Sequence, residues 1–247
     1  GKLWDIMPDF PMGATAADQR RRYLNAVSAM LGAEIDFIVL EIDEKSNLAV
    51  GSRTDAMAIR RKQNYIRKYR GGAESRMEIA ARLGSKVEAR VTAVAGSLLR
   101  VEIFGADAIV RARDACWRYT ADLSSVFHAG DHVYVVIKDL KIDRKTGRAE
   151  LSASIREATE NVLLHNIKFY REESIQLGVI SGKTNKGYFV AVGNADTGID
   201  VFCSRVMGQV MPQVGDTVAC RINRIFDDGK ANGKITRIIR SVQTVGF

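Results

Sequence analysis

Polar and apolar residues alternate with a period of two through much of this chain, the spacing of half-buried β-strands. Three stretches share one form: Leu31-Gly32-Ala33-Glu34 running into Ile35–Asp43, Ala129-Gly130-Asp131 running into His132–Asp139, and Val214-Gly215-Asp216 running into Thr217–Arg224. In each, a glycine and an acidic residue turn the chain into a strand. A second turn follows (Asp43–Asn47, Asp143–Gly147 or Asp227–Lys230) and then a closing strand, Leu48–Ser52, Ala149–Ala153 or Lys234–Ile238. The turn glycines lie 98 and 85 residues apart, so the pattern is an internal repeat. The second and third copies also share a front half. Lys86–Val94 and Ile175–Ile180 read as first strands, Leu98–Phe104 and Gly187–Val192 as second strands, and Ala108–Arg113 and Ile199–Ser204 as third strands. Five short strands, a meander and then a closing hairpin, are what a small Greek-key barrel requires. The first copy has the hairpin without opening strands. Helical sequence at Asp55–Arg70, Ala73–Leu83 and Glu157–Arg171 is expected to join the units, with Ile155, Ala158, Val162 and Tyr170 on one apolar face of the last.

These repeats resemble the S1 domain, the RNA-binding repeat of ribosomal protein S1 and of many RNA-handling proteins. Over residues 84–153 the resemblance is carried by Arg100-Val101-Glu102-Ile103, Gly105–Arg111, Asp114-Ala115-Cys116-Trp117, Ala129-Gly130-Asp131 and Ile142-Asp143-Arg144. Over residues 174–240 it is carried by Lys186-Gly187-Tyr188-Phe189-Val190, Val214-Gly215-Asp216 and Asp227-Asp228. The resemblance implies an all-β fold of tandem five-stranded OB-fold barrels joined by helical linkers. The expected division is a front-truncated repeat at 1–53, a basic helical linker at 54–83, a repeat at 84–155, a helical linker at 156–173 and a repeat at 174–243. It implies single-stranded RNA as the ligand.

In this family RNA lies on the outer face of strands two and three, where aromatic rings stack on bases and cations meet phosphates. Alternation places Phe189 and Phe202 together on that face of the last repeat, with Lys186 beside them; packing under a neighbouring element is the alternative for the rings. In the middle repeat the family's aromatics are displaced by Ser97 and Arg100, and Arg111 stands where the family has a histidine. Arg100, Arg111 and Arg113 are expected to share one outer face as a phosphate-binding patch; the alternative is a solvated face in which Arg100 or Arg111 pairs with Glu102 or Asp114. Arg118 and Tyr119, just after the third strand, join the candidate RNA contacts, and Trp117 is expected to pack. Arg60, Arg61, Lys62, Tyr65, Arg67 and Lys68 interleave cations with aromatics in a stretch free of acids. A solvated linker helix reads equally well there.

Composition narrows the classes. Hydrophobic residues make up 46% and charged residues 27%, which are globular values and exclude wholesale disorder. The net charge is +8, spread as +3, +2 and +3 over residues 1–83, 84–158 and 159–247, so a polyanionic partner is favoured without a basic tail. The longest apolar runs are far too short for a membrane span. Gly1–Phe10 does not read as a signal peptide, and the missing initiator Met points to a processed chain or a piece of a longer one. Three cysteines (Cys116, Cys203, Cys220) with no CxxC and three histidines support neither a disulfide framework nor a zinc site, so the chain is expected in the cytoplasm. No Walker loop, GxGxxG or catalytic constellation is present, and no cofactor, metal or catalytic residue is expected. The reading is a non-catalytic single-stranded RNA-binding protein acting on mRNA in translation, with the ribosome or another complex as a partner. Its rivals are the gripping part of a larger RNA-processing enzyme, and a protein-docking module that uses the same barrel faces.

Overall fold

The computed structural model describes residues 15–65, 81–143, 148–194, 197–204 and 211–242. The chain divides into two compact units, residues 1–115 with 122–158, and residues 116–121 with 159–247. Before the first barrel come α1 (Ala16–Ser28), a hairpin of β1 (Ile38–Asp43) and β2 (Leu48–Ser52), and α2 (Arg53–Asn64). The barrel itself is built from β3 (Lys86–Ala95), β4 (Leu98–Ile103), β5 (Ala106–Arg111), β6 (His132–Asp143) and β7 (Arg148–Ser154), closed in the order β3-β4-β5-β7-β6. The second unit closes β8 (Ile175–Lys183), β9 (Gly187–Val192), β10 (Ile199–Ser204), β11 (Thr217–Ile225) and β12 (Ala231–Arg240) in the matching order, with β10 parallel to β12 as β5 is to β7. The fold is therefore all-β in its two closed five-stranded barrels.

The period-two pattern accounts for both cores. Leu99, Val101, Ile103, Val110, Val135 and Ile137 are fully buried in the first barrel, as are Ile180, Val190, Val201, Val218 and Ile222 in the second. The repeated Gly-Asp turn has the same mechanism in each. Gly130 and Gly215 take φ of 98° and 95°, a left-handed conformation that favours glycine. Their N–H groups donate to Val91 O and Ile180 O, both at 2.8 Å, and the next residues' carbonyls accept from Val91 N and Ile180 N at 2.8 and 2.9 Å. Asp131 and Asp216 then cap the turn by accepting from His128 N at 2.7 Å and Gln213 N at 2.8 Å. At the bulge of the first strand, Thr92 Oγ1 donates to Arg100 O at 3.2 Å and Ser181 Oγ to Phe189 O at 3.3 Å. These contacts align the two barrels residue by residue.

The hairpin β1–β2 is the closing hairpin of the barrels without the rest. Its register runs Asp43↔Leu48 as β6–β7 runs Asp143↔Arg148, with one bulge in each. Ser52 caps the following helix by accepting from Asp55 N at 3.2 Å, and Ser154 accepts from Glu157 N at the same distance. Among the described residues no further strand pairs with it, so Val39, Leu40, Ile42, Leu48 and Val50 stay 39–67% exposed.

Three expectations change. The helix expected over Glu157–Arg171 is broken: Arg156–Ala158 and Ile167–Phe169 are single 3-10 turns around the short α4 (Val162–Asn166), because Asn161 restarts the helix by accepting from Leu163 N. The side chains of Asn166, at the end of α4, and of Tyr170 donate to Gly198 O and Thr197 O, at 2.9 and 3.0 Å, and Ile167 and Tyr170 pack on the second barrel's core. The third strand of the first barrel ends at Arg111, and residues from Ala112 turn into α3 (Ala112–Ala115). The helix expected to run to Arg70 ends at Asn64; residues 66–80, and with them most of Ala73–Leu83, lie outside the described residues.

Candidate nucleic-acid interface

On the second barrel, β9 and β10 bury alternate residues, leaving Phe189 and Ala191 on one strand and Asp200, Phe202 and Ser204 on the other pointing outward. Register sets Phe202 directly opposite Phe189, and the rings meet at 5.2 Å between centroids with a 59° tilt. Both are half-buried. On the β8 side Phe189 pairs with Gly182, where a Cβ would run into the ring of Tyr119. That ring lies against Phe189 at 4.3 Å with only 12° between planes. Three rings thus form one row on the outer face.

The segment bearing Tyr119 is held by polar contacts. Tyr119 N–H donates to the Asp200 carboxylate, Arg118 Nε lies 3.8 Å from Asp200, and Arg118 donates to Asn194 O at 3.5 Å. Burial pushes the Asp200 carboxyl above its ordinary range, while the Tyr119 N–H and Arg118 pull it back. Lys183 and Lys186 are exposed at the β8–β9 turn. The turn is shaped by Thr184, whose Oγ1 accepts from the N–H groups of Lys186 and Gly187, both at 3.2 Å. A row of half-buried rings bordered by exposed cations can stack bases and neutralise phosphates. Alternation made the Phe pair legible; Gly182 and Asp200 as the seat and anchor of Tyr119 were not, because contacts between residues 63 and 81 positions apart leave no periodic signal.

The same face of the first barrel is built differently. The bulge alignment puts Arg100 at the position of Phe189, and Arg100 pairs with Ile109, so Ile109 takes the place of Phe202. The sequence reading put Arg111 there; Arg111 lies two residues further along, opposite Leu98, and is exposed. Arg113 does not share the strand face. It sits in α3 with Nε 3.4 Å from Asp114.

Glu102 pairs with neither Arg100 nor Arg111, but is buried between Arg53 at 2.6 Å and Arg90 at 2.7 Å. Arg90 also reaches Asp36 at 2.6 Å, and Arg60 reaches it at 3.0 Å. The hydrogen bond from Arg90 leads the causes that hold the Asp36 carboxyl below its ordinary range. Tyr23 and Met30, with Ala26 and Val27, pack on Ala93. A cavity of about 180 Å³ remains between Ala26 and Ala29 on one side and Ala93, Leu98, Arg100 and Ile109 on the other. Arg61 donates to Gly105 O and Tyr65 Oη to Ile103 O, both at 2.6 Å, so these two candidates dock α2 on the barrel. Lys62 is exposed; Arg67 and Lys68 lie outside the described residues.

Two of the three histidines have side-chain partners. His132 bridges Glu88 at 2.7 Å and Glu34 at 3.0 Å, and His165 lies edge-on to Phe169. Among the described residues no cluster of three or more His, Cys, Asp or Glu could hold a metal.

Residues 81–154, the first barrel, match the family model of the S1 RNA binding domain. Solved structures similar to the chain include an a/eIF2alpha-aDim2p-rRNA complex from Pyrococcus horikoshii OT3, at 15% identity and a TM-score of 0.28, covering 36% of this chain and 62% of that one. A multidomain protein with nucleic acid binding domains from Streptococcus pneumoniae TIGR4 is similar at 15% identity and a TM-score of 0.24, covering 82% and 73%. Drosophila Unr CSD456 is similar at 12% identity and 0.20, covering 66% and 64%. The chain thus spans less than two thirds of the first and third of these.

Proposed function

We propose, from the premise that residues 81–154 are an S1 RNA-binding domain, that the chain binds single-stranded RNA without catalysis and that the stacking takes place on the second barrel. The observation that carries this is the cross-strand pair of Phe189 and Phe202, half-buried and outward, on the face where the resemblance to S1 domains implies a platform. Exposed Lys183 and Lys186 and the net charge of +8 supply the long-range attraction for a polyanion. Capture begins with phosphate contacts, and bases then stack on the rings, a mode that tolerates many sequences. Such a grip suits a factor that handles mRNA during translation in the cytoplasm, in the manner of ribosomal protein S1. It suits equally the RNA-holding part of a larger processing enzyme.

A second reading applies to the first barrel alone. Its equivalent face already carries polypeptide, through Arg53, Arg90 and Asp36, which favours protein docking there over base stacking. The test is fluorescence anisotropy of a labelled 12-nucleotide single strand and of a 12-base-pair RNA duplex across a salt series. Preference for the single strand and steep weakening with salt are expected; flat salt dependence or duplex preference overturns the proposal.

A further inference from the structure

We propose that Tyr119 sets the specificity of this surface: its ring occupies the seat of one nucleobase and gives that seat up only to an unstacked base. This rests on reading Phe189 and Phe202 as an RNA platform. Cross-strand pairing puts positions 182, 189 and 202 in one row over β8, β9 and β10. Two are phenylalanines and the first is glycine, which leaves a slot one side chain wide. Tyr119 fills it, parallel to Phe189 at 4.3 Å, in the offset-stacked geometry that a base would take. Phe202 leans on the other side of Phe189. The central ring is therefore flanked on both sides while Tyr119 stays.

The Tyr119 ring is held by this stack, and its backbone by Asp200. Residues 116–121 form no helix or strand; the Asp200 carboxylate accepts from Tyr119 N–H, and Arg118 makes long contacts to Asp200 and Asn194. The Asp200 side chain is only 10% exposed and keeps the Tyr119 backbone in place, so the ring leaves the slot by turning about its own side-chain bonds and exchanges only the stack. A base of a flexible single strand can enter the slot and stack on Phe189 in place of Tyr119. A base in a duplex is already stacked on both sides and would have to leave its neighbours first. Binding to the closed state is weakened by the fraction of molecules in which the slot is free, so removing the ring removes that handicap.

The experiment uses the full chain with fluorescein-labelled single-stranded U12 RNA and a 12-base-pair RNA duplex. Tyr119→Ser is expected to bind U12 about three- to tenfold tighter than the parent, the range set by one aromatic pair. Tyr119→Trp, a better stacker, is expected to bind U12 more weakly, with duplex binding unchanged in both. Weaker binding by Tyr119→Ser overturns the proposal and makes Tyr119 a third ring of the platform; equal binding by all three proteins overturns it and makes the ring packing alone. A second measurement stands if a variant fails to fold. In the parent, the Tyr119 ring protons should lose their upfield shift from Phe189 when U12 is added, and a shift unchanged in the bound state overturns the proposal. Phe189→Ala separates the two readings: if it leaves U12 affinity intact, the platform fails, whereas if it weakens binding while Tyr119→Ser does not tighten it, the platform stands and the Tyr119 seat fails.

Discussion

Tyr188 and Phe189 are adjacent aromatic residues with opposite surroundings, and the difference is measurable. Tyr188 points inward and is 1% exposed, so Tyr188→Ala should cost the second barrel roughly 3–5 kcal/mol of stability, as for a large ring removed from a core. Phe189→Ala and Phe202→Ala remove half-buried outward rings. They should cost roughly 1–3 kcal/mol of RNA binding per base contact while leaving the melting temperature near that of the parent. Thermal unfolding and RNA anisotropy on the same three variants check this; a large fall in melting temperature for Phe202→Ala with unchanged affinity would make the outward rings packing residues. One residue also explains why the two barrels diverge. Arg100 occupies the place of Phe189, and a guanidinium beside Ile109 cannot form a ring-on-ring platform. The charge was legible in the sequence, but its cross-strand neighbour was not, because a shift of two residues along a strand keeps the same face and leaves the alternation unchanged.

The elements ahead of the first barrel are fastened to it by a buried charge cluster. Glu102 lies between Arg53 and Arg90 with side-chain exposures of 1%, 3% and 9%, so Glu102→Ala would take the shared carboxylate from two buried guanidinium groups, with Asp36 still on Arg90 and Asp107 3.8 Å from Arg53. Breaking such a pair costs roughly 3–5 kcal/mol, and urea unfolding should show that loss in the first unit. A softer tie is His132, whose imidazole is held above its ordinary pKa by hydrogen bonds to Glu34 and Glu88, while Glu34 is held below its own by His132 and Arg90. A raised histidine contributes fully below its unfolded pKa and loses that contribution as pH rises through the folded value; a depressed carboxyl loses its contribution as pH falls through the folded value. The tie is therefore strongest in the mildly acidic window between the two. Hydrogen exchange around Glu34 should quicken as pH rises beyond that window, after correction for intrinsic exchange, and His132→Gln should abolish the change. Strands and Gly-Asp turns were legible because both are local: a period of two, and a glycine whose φ must be positive. The fastening was not, because Arg53, Asp36, Arg90 and Glu102 come from four separate stretches and each alone reads as a solvated charge. The helix expected over Glu157–Arg171 was misread for the same reason: Asn166 and Tyr170 find partners some 30 residues away that outweigh local propensity.

For the whole molecule, the question is which barrel meets the phosphates. Both carry cations, and the charge is spread nearly evenly, so net charge cannot decide it. Salt dependence can, because each phosphate neutralised on a single strand contributes about −0.7 to the slope of log affinity against log salt. If the RNA follows the ring row, Lys183→Gln with Lys186→Gln should make the slope shallower by about 1.4, weakening every sequence alike since phosphate contacts carry no base information. Arg111→Gln with Arg113→Gln on the first barrel removes two exposed cations as well. That pair should leave the slope unchanged if the face beside them serves to hold polypeptide. The two double variants have equal net charge, so a general field effect would move both equally and only a local contact separates them. Equal changes would mean that the RNA is attracted by the chain as a whole, and a change confined to the Arg pair would move the RNA to the first barrel and leave the rings of the second without a strand to stack on.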